Sequence, residues 1–329
     1  MKCIKVELKN AEKIKKELLQ KGIFNKNYVV QKDKEYIYFP VTKKIKGFKI
    51  IDKKLKRNKN QTLEIILKKK LNAEEIKLIP KSYDSVGTIC ILEMDKNLIK
   101  KKKIIAKAFL KVNPQLKTIV IKLGEHKGEY RIQEYEYLAG EKNFETIHKE
   151  NAVKMKLNIN KVYFSPRSAN ERLRIAKEIK KDEVILVMFS GVGAYPLVFA
   201  KNSKAKEIYG IEINPEAHKY AEENKRINGI TEKIKNFCGD VKEVLPKIEK
   251  KFDRIIMPLP KTSFDFLELA LTYLNKGGII HLYCFSPEEE IEQLIKKIKE
   301  KCSCTILKVN KCGQQSPRIY RFCIDIKPL

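Results

Sequence analysis

Asp182-Glu183-Val184-Ile185-Leu186-Val187-Met188-Phe189-Ser190-Gly191-Val192-Gly193 reads as a strand that runs into a glycine turn. Val184 to Phe189 is apolar without alternation, the pattern of a strand covered on both faces. Gly191 and Gly193 let the backbone approach a ligand closely and take up positive φ where a turn demands it. The turn alone does not choose that ligand: dinucleotide sites begin in the same way, and the third glycine of their fingerprint is missing here. Outward from the turn the chain keeps one rhythm. Helix 169–180 precedes it, and helix 195–201, strand Ile208 to Glu212 and helix Pro215 to Asn228 follow. Strand Ile234 to Phe237, helix 241–250, strand Arg254 to Met257, helix 264–274 and strand Ile279 to Phe285 continue the series. Helix Glu288 to Lys301 and two closing strands end it. Strands alternating with helices predict an α/β fold over residues 166–329, a parallel, doubly wound sheet with both faces covered.

Ligands of such sheets bind beyond the carboxyl ends of the strands, so the residues at those ends carry the next inference. The second strand ends Gly210-Ile211-Glu212-Ile213-Asn214. A carboxylate there, about twenty residues beyond the turn, can accept both hydroxyls of a ribose. The third ends Phe237-Cys238-Gly239-Asp240, where Asp240 is placed to take the amino group of an adenine. The fourth ends Met257-Pro258-Leu259-Pro260, at the edge where a reacting group would sit. Each has a plainer reading when taken singly, since Glu212 can cap a helix and Asp240 can begin one. Four in register predict a nucleoside site. The lack of phosphate-binding groups favours S-adenosylmethionine (SAM) over a dinucleotide.

Two smaller modules precede this one. Residues 1–55 read as strand Cys3 to Leu8, amphipathic helix Ala11 to Lys21 closed by Gly22, and strand Tyr36 to Val41. Lys43 to Lys59 carries nine basic residues against one acid, Asp52, and ends in Lys56-Arg57-Asn58-Lys59-Asn60, which reads as a linker. Residues 61–165 read as an α+β module. Its strands are Thr88 to Leu92, Thr118 to Lys122 and Leu157 to Phe164, with strand pieces at Tyr130 to Ile132 and Thr146 to His148 and a Lys-rich helix from Lys96 to Lys111. The 329 residues hold 70 Lys and Arg against 41 Asp and Glu, a formal net charge of +29. Charge so far from zero speaks of a polyanionic partner, nucleic acid above all, rather than of fold. Lysine on an Ile- and Glu-rich background also follows from base composition or a hot habitat. No apolar run approaches the roughly 18–20 residues of a membrane span, and the N-terminus lacks the apolar stretch of a signal peptide. The chain is read as soluble and cytoplasmic. Eight cysteines are scattered; Cys302, Cys304 and Cys312 do not follow zinc-site spacing and have no histidine nearby, so no metal is expected.

The stretches upstream of the sheet carry a family pattern. They are Gly128-Glu129-Tyr130-Arg131-Ile132-Gln133-Glu134-Tyr135-Glu136-Tyr137-Leu138-Ala139-Gly140-Glu141, Thr146-Ile147-His148-Lys149-Glu150-Asn151, Lys161-Val162-Tyr163-Phe164-Ser165-Pro166-Arg167 and Asn170-Glu171-Arg172. With the motifs already described, they resemble the archaeal tRNA guanosine-37 N1-methyltransferases, a class I SAM-dependent family of three-domain enzymes, over essentially the whole chain. The resemblance implies a C-terminal Rossmann-like methyltransferase domain at 166–329, preceded by α+β RNA-binding domains at 1–55 and 61–165. It implies SAM as cofactor and tRNA, tRNA-Phe in particular, as partner of a monomer. Carried over by position, Glu171 is the general base for the N1 proton, Arg131 steadies the guanine O6, and Arg172 lies beside the base. Tyr163, Phe164, Ser190, Gly191, Val192, Gly193, Glu212, Ile213, Asp240 and Val241 match the SAM pocket, with Pro258 and Pro260 at the fourth motif. His148 reads as structural.

Two departures matter. Many members carry Asp where this chain has Val187, which removes a polar contact near the methionine end of SAM. Most members acting only on N1 read Asn-Leu-Pro where this chain has Pro258-Leu259-Pro260, and proline offers neither a side-chain amide nor a backbone N–H. That change resembles the branch acting in wyosine biosynthesis, which methylates C7 of 4-demethylwyosine, with or without guanine N1 activity. Three other classes compete. An RNA cytosine C5-methyltransferase needs a cysteine near the fourth motif, and Met257 to Thr262 has none. A small-molecule methyltransferase would leave the basic modules unexplained. A non-catalytic RNA-binding protein with a degraded SAM site takes some support from Val187 and Pro258. Without the resemblance, Asn170-Glu171-Arg172-Leu173-Arg174 reads as an exposed helix start with ion pairs.

Overall fold

The apolar run forms strand β1 (Val184–Met188) of a seven-stranded sheet in the computed structural model, which describes residues 1–56 and 62–329. The other strands are β2 (Glu207–Glu212), β3 (Ile234–Cys238), β4 (Phe252–Met257), β5 (Leu274–Pro287), β6 (Cys304–Ser316) and β7 (Ile319–Pro328). Their order across the sheet is β3-β2-β1-β4-β5-β7-β6. The chain moves outward from β1 to β3, then returns to β4 on the other side of β1. That reversal opens the crevice in which ligands of such sheets lie. Strands β1 to β5 run parallel, while β7 pairs antiparallel with both β5 and β6. The sheet is therefore not parallel throughout. Two residues separate β6 from β7, enough for a hairpin and far too few for the crossover that parallel strands require.

Successive side chains of β1 enter different apolar layers, as the pleat dictates. Ile185 and Val187 pack with Ile175 and Ala176 of α1 (Ala169–Glu178), Leu197 to Phe199 of α2 (Ala194–Asn202) and Ala217 of α3 (Pro215–Ile227). Leu186 and Met188 join Leu245, Leu267 and Ile298 on the opposite face. The helix expected over 241–250 divides into α4 (Val241–Val244) and a 3-10 turn at Leu245–Ile248, where Pro246 lacks the N–H that would continue the ladder. The helix expected over 264–274 begins as a 3-10 turn at Ser263–Phe266.

The preceding segment forms a four-stranded sheet from Asp84–Val86, Ile89–Leu92, Thr118–Lys127 and Ile132–Gly140, and a ribbon from Glu145–Glu150 and Val153–Asn158. Two expectations fail here. The strand read over Leu157–Phe164 stops at Asn158, and the strand piece at Tyr130–Arg131 is a turn in which Arg131 has φ +51°. Asparagines on α3 and at its C-cap take the place of a partner strand at the ribbon edge. Asn224 accepts from the amide of Lys156 and donates to its carbonyl (2.7 and 3.0 Å), and Asn228 does the same at Lys154 (2.9 and 2.7 Å). Asn214 donates to the carbonyl of Lys161 (2.9 Å). That last bond ties the segment beginning at Lys161 to the chain just beyond β2.

Contacts divide the chain into two compact units, residues 1–77 with 111–113, and residues 78–110 with 114–329. The first holds a four-stranded antiparallel sheet and helix Ala11–Gln20 around Ile4, Val6, Leu18, Phe39 and Val41. Residues 57–61 lie outside the described residues, and with them most of the linker read at Lys56 to Asn60.

Candidate active site

The glycine turn does what its sequence implied. Gly191 and Gly193 have φ +57° and +82°, and Phe189 is also left-handed at +60°, a strained conformation for an aromatic residue. The amide of Gly191 donates to Glu212 Oε2 (2.7 Å), and that of Asn214 donates to Oε1 (2.9 Å). Burial raises the Glu212 carboxyl above its ordinary range, opposed by the amides of Asn214, Gly191 and Ile213. A carboxylate fixed this way at the end of β2 suits a ribose diol. Asp240 is half-buried and caps α4 by accepting from Lys242 N (2.8 Å), so its helix-starting reading holds, with α4 carrying Val241 behind it. Val187 is fully buried among apolar neighbours and presents nothing polar to the crevice.

A cavity of about 70 Å³ opens beyond the turn. The sequence-assigned Tyr163, Phe164, Arg172, Ser190, Gly191, Val192, Pro258 and Pro260 line it, together with Tyr195, Tyr283 and Arg321. The Pro258–Pro260 loop is pinned by Ser263, whose hydroxyl donates to the carbonyls of Met257 (2.7 Å) and Leu259 (2.9 Å). Ser190 Oγ and Arg321 Nε are buried there without hydrogen-bond partners among the described residues. Buried polar groups are usually hydrogen-bonded, so unpartnered ones beside a cavity ask for a bound molecule or water. A larger open recess of about 550 Å³, lined by Pro80, Lys81, Tyr83, Asp84 and Arg167 among others, contains none of the assigned residues.

Helix α1 supplies two charged networks. Arg172 forms a bidentate pair with Glu150 (2.6 and 2.7 Å), donates to the carbonyl of Ser165 (3.1 Å) and lies over the rings of Phe164 and Tyr195. His148 stands behind Glu150: its Nδ1 accepts from Gly87 N (3.2 Å), which leaves the proton on Nε2, 3.4 Å from the Glu150 carboxylate. Burial alone would raise the Glu150 carboxyl; His148 and Arg172 outweigh it and hold it below the usual range. His148 is thus the structural group the sequence indicated. Glu171 belongs to the second network. Its oxygens accept from Arg174 Nη2 (2.7 Å) and Nε (2.9 Å), and Oε1 also accepts from the Tyr283 hydroxyl (2.9 Å). Arg174 extends to Glu178 (2.9 Å) and Asp325 (3.1 Å). The helix start is ion-paired but not exposed, since Glu171 and Arg172 are only 6% and 3% accessible.

Arg131 sits at the tip of the Thr118–Gly140 hairpin. Its carbonyl bonds His126 Nδ1 (3.0 Å), and the His126 ring packs edge-on against Tyr163. Its guanidinium has no carboxylate partner among the described residues, and burial lowers its pKa. Three cavity residues escaped the sequence reading. Tyr195 and Tyr283 sit within apolar runs and read as core. Arg321, on β7, donates to Ser168 Oγ (2.8 Å) and the carbonyl of Cys312 (2.7 Å), but to no acid among the described residues. The one cluster of metal-ligand type among the described residues is His281, Cys323 and Asp325. Its members bond one another, His281 Nδ1 with Asp325 Oδ1 (2.7 Å), while Arg254 bonds His281 Nε2 (2.6 Å) and Arg174 donates to Asp325 Oδ2 (3.1 Å), so the three side chains are engaged within the protein.

Comparison with known proteins agrees with this geometry. The TRM5/TYW2 methyltransferase domain matches residues 146–309, the TYW2 N-terminal domain residues 63–143, and the tRNA methyltransferase 5 N-terminal domain residues 3–49. The chain is 36% identical over 99% of its length, and 98% of the relative's, to tRNA (guanine(37)-N(1))-methyltransferase Trm5b of Pyrococcus abyssi. The crystal structure of that protein superposes with a TM-score of 0.74, covering 99% of both chains. Over 66% of this chain and 88% of the relative it is 34% identical to tRNA (guanine(37)-N(1))/4-demethylwyosine(37)-methyltransferase Taw22 of Nanoarchaeum equitans. Over 80% of this chain and 94% of the relative it is 32% identical to tRNA(Phe) (4-demethylwyosine(37)-C(7)) aminocarboxypropyltransferase of Pyrococcus horikoshii.

Proposed function

The chain belongs to the TRM5/TYW2 methyltransferase family, and on that premise we propose that it methylates the base at position 37 of tRNA, with SAM as methyl donor. One observation carries the reading: a nucleoside cradle of glycine turn, Glu212 and Asp240 meets a cavity walled by Tyr163, Phe164 and Pro258, with a buried carboxylate, Glu171, behind it. SAM, when bound, supplies an electrophilic methyl group. Guanine N1 carries a proton at neutral pH and is a poor nucleophile until that proton leaves. Glu171 is the proton's destination, and Arg131, a cation without an acid partner among the described residues, balances the charge that builds on O6. Arg172, neutralised by Glu150, holds the wall formed by Phe164 and Ser165 rather than supplying charge. Residues 1–55 and 61–165 act as RNA-binding modules, and tRNA-Phe is the substrate we assign.

The product we propose is the C7-methylated form of 4-demethylwyosine, with guanosine N1 methylation as a second activity. Pro258 gives a less directional wall than asparagine, which suits the larger tricyclic base, and the similarity to Taw22 supports the pairing of activities. Transfer of the aminocarboxypropyl group is the competing outcome. The tRNA methyltransferase 5 N-terminal match and the end-to-end similarity to Trm5b speak for methyl. Nucleoside mass spectrometry after incubation with SAM and two tRNAs, one with guanosine 37 and one with 4-demethylwyosine, tests the proposal. A methyl group on both is expected, and Pro258→Asn shifts the ratio towards guanosine. Only 1-methylguanosine, even with the tricyclic substrate supplied, refutes the C7 assignment. No product from a SAM-binding protein returns the non-catalytic reading.

A further inference from the structure

Glu171 does not line the cavity that its substrate would enter. Both of its oxygens are engaged by Arg174, and the group between its carboxylate and the cavity is a phenol. Tyr283 donates to Glu171 Oε1 (2.9 Å) and accepts from the Tyr195 hydroxyl (3.1 Å); both tyrosines line the cavity, and both bonds are buried. A phenol oxygen has one donor and two acceptor positions. Tyr283 has therefore spent its proton on Glu171 and one acceptor position on Tyr195, and one acceptor position is left.

We propose that Tyr283 relays the N1 proton of guanine to Glu171. The inference rests on the N1-methylation reading above. The N1–H bond breaks and its proton goes to Tyr283 Oη. The O–H bond that pointed at Glu171 breaks in the same event, and that proton goes to Oε1. The electron pair of N1–H stays on nitrogen and forms the bond to the incoming methyl carbon, as that carbon's bond to the sulfonium breaks and leaves its electron pair on sulfur. The ends of the path are a neutral tyrosine and a neutral glutamic acid, so no tyrosinate accumulates. That is required here, because burial raises both phenols far above their ordinary range. Arg174 holds both carboxylate oxygens and is itself tied to Asp325 and Glu178. Glu171 is thereby kept from swinging into the cavity, and its basicity reaches the substrate through Tyr283.

Tyr283→Phe keeps the ring and removes the relay. Single-turnover methylation of guanosine-37 tRNA is expected to fall on the order of 100-fold or more, the usual scale of general acid–base catalysis. Affinities for S-adenosylhomocysteine and for tRNA, read by titration, stay within about twofold. A measurement on the unmodified enzyme guards against a misfolded variant. In mixtures of light and heavy water its rate should depend on deuterium fraction along a curve, because two protons move together, whereas one proton gives a straight line. A straight line for the wild type, or a Tyr283→Phe enzyme within about threefold of it, overturns the relay. Glu171→Gln separates this from the parent reading: full N1 methylation by that variant would remove Glu171 as the proton's destination altogether.

Discussion

Glu150→Gln is the perturbation that tests the buried architecture most directly. The side chains of Glu150 and Arg172 are only 5% and 4% exposed, and two short bonds join them. The amide keeps the shape of the carboxylate but leaves the Arg172 cation in the interior without a counter-charge. Breaking a buried pair from one side costs about 3–5 kcal/mol. Exchanging both partners, Glu150→Gln with Arg172→Met, removes the stranded charge and is expected to recover a large part of that loss. Urea unfolding of the unit that contains residues 114–329, followed by circular dichroism, measures all four proteins of the cycle. The pH dependence has a defined sign. The folded protein holds the Glu150 carboxyl below its ordinary value, so its stabilising effect is complete above the unfolded glutamate pKa, near 4.5, and disappears as pH falls through the lower folded value. The wild type should therefore lose stability more steeply than Glu150→Gln below about pH 4.5. A loss under about 1 kcal/mol, the scale of an exposed pair, together with no coupling in the cycle, would refute the argument.

Glu212→Ala removes charge-assisted acceptors and is expected to weaken SAM binding by about 2–3 kcal/mol in a calorimetric titration; tighter binding of NADH than of SAM by the wild type would end the SAM assignment. Because burial raises the Glu212 carboxyl, SAM affinity should begin to fall on acidification at a higher pH than an ordinary glutamate would produce. The affinity for tRNA should fall with salt at a log–log slope near −0.7 to −0.9 per phosphate neutralised. Deleting residues 1–55 should weaken tRNA binding while SAM binding persists, and an unchanged tRNA affinity would refute a role for that module. Arg321→Met should weaken S-adenosylhomocysteine but not 5′-methylthioadenosine, which lacks the carboxylate; equal losses for both would show that Arg321 does not face that group.

The parallel part of the catalytic sheet was legible because its information is local, whereas the antiparallel β7 was not. Val184 to Met188 states its double burial by having no polar alternation, and Gly191, Glu212 and Asp240 each stand at the end of a strand whose period is plain. Elements that depend on distant partners were not legible. Leu157 to Phe164 is apolar enough for a strand, but Asn158 turns the chain, and at Lys161 the remainder is held by Asn214 and by Glu216 of α3 rather than by a neighbouring strand. Arg131 sits in a left-handed turn that the alternation around it hides. Tyr195 and Tyr283 follow the apolar pattern of core residues, and only the fold brings their hydroxyls into one chain with Glu171, 112 residues from Tyr283 in sequence. The buried character of Glu171 and Arg172 was missed for the same reason, since charged residues at a helix start read as exposed until the acids and bases opposite them are known.

Those partners also sort the arginines of the site by function. Arg172 meets Glu150, and Arg174 meets Glu171, Glu178 and Asp325, so each of these charges is answered inside the protein. An answered charge projects little field into a cavity and serves to hold geometry. Arg131 and Arg321 meet no acid among the described residues, and what they contact is neutral. Desolvating a cation without an acid opposes folding, so these two positions are where bound molecules should bring negative charge. Two such charges arise in the proposed reaction: the carboxylate of the methionine end of SAM, present throughout, and the enolate character of O6, present only as N1 is deprotonated. Arg131 is assigned to the second by the family resemblance, and Arg321, inside the cavity, suits the first. A cation facing the permanent charge tightens binding without changing the chemical step, whereas one facing the developing charge accelerates it. Substitution of Arg321 should therefore appear in the dissociation constant and substitution of Arg131 in the single-turnover rate, and an effect of Arg131→Ala confined to binding would contradict its assignment to O6.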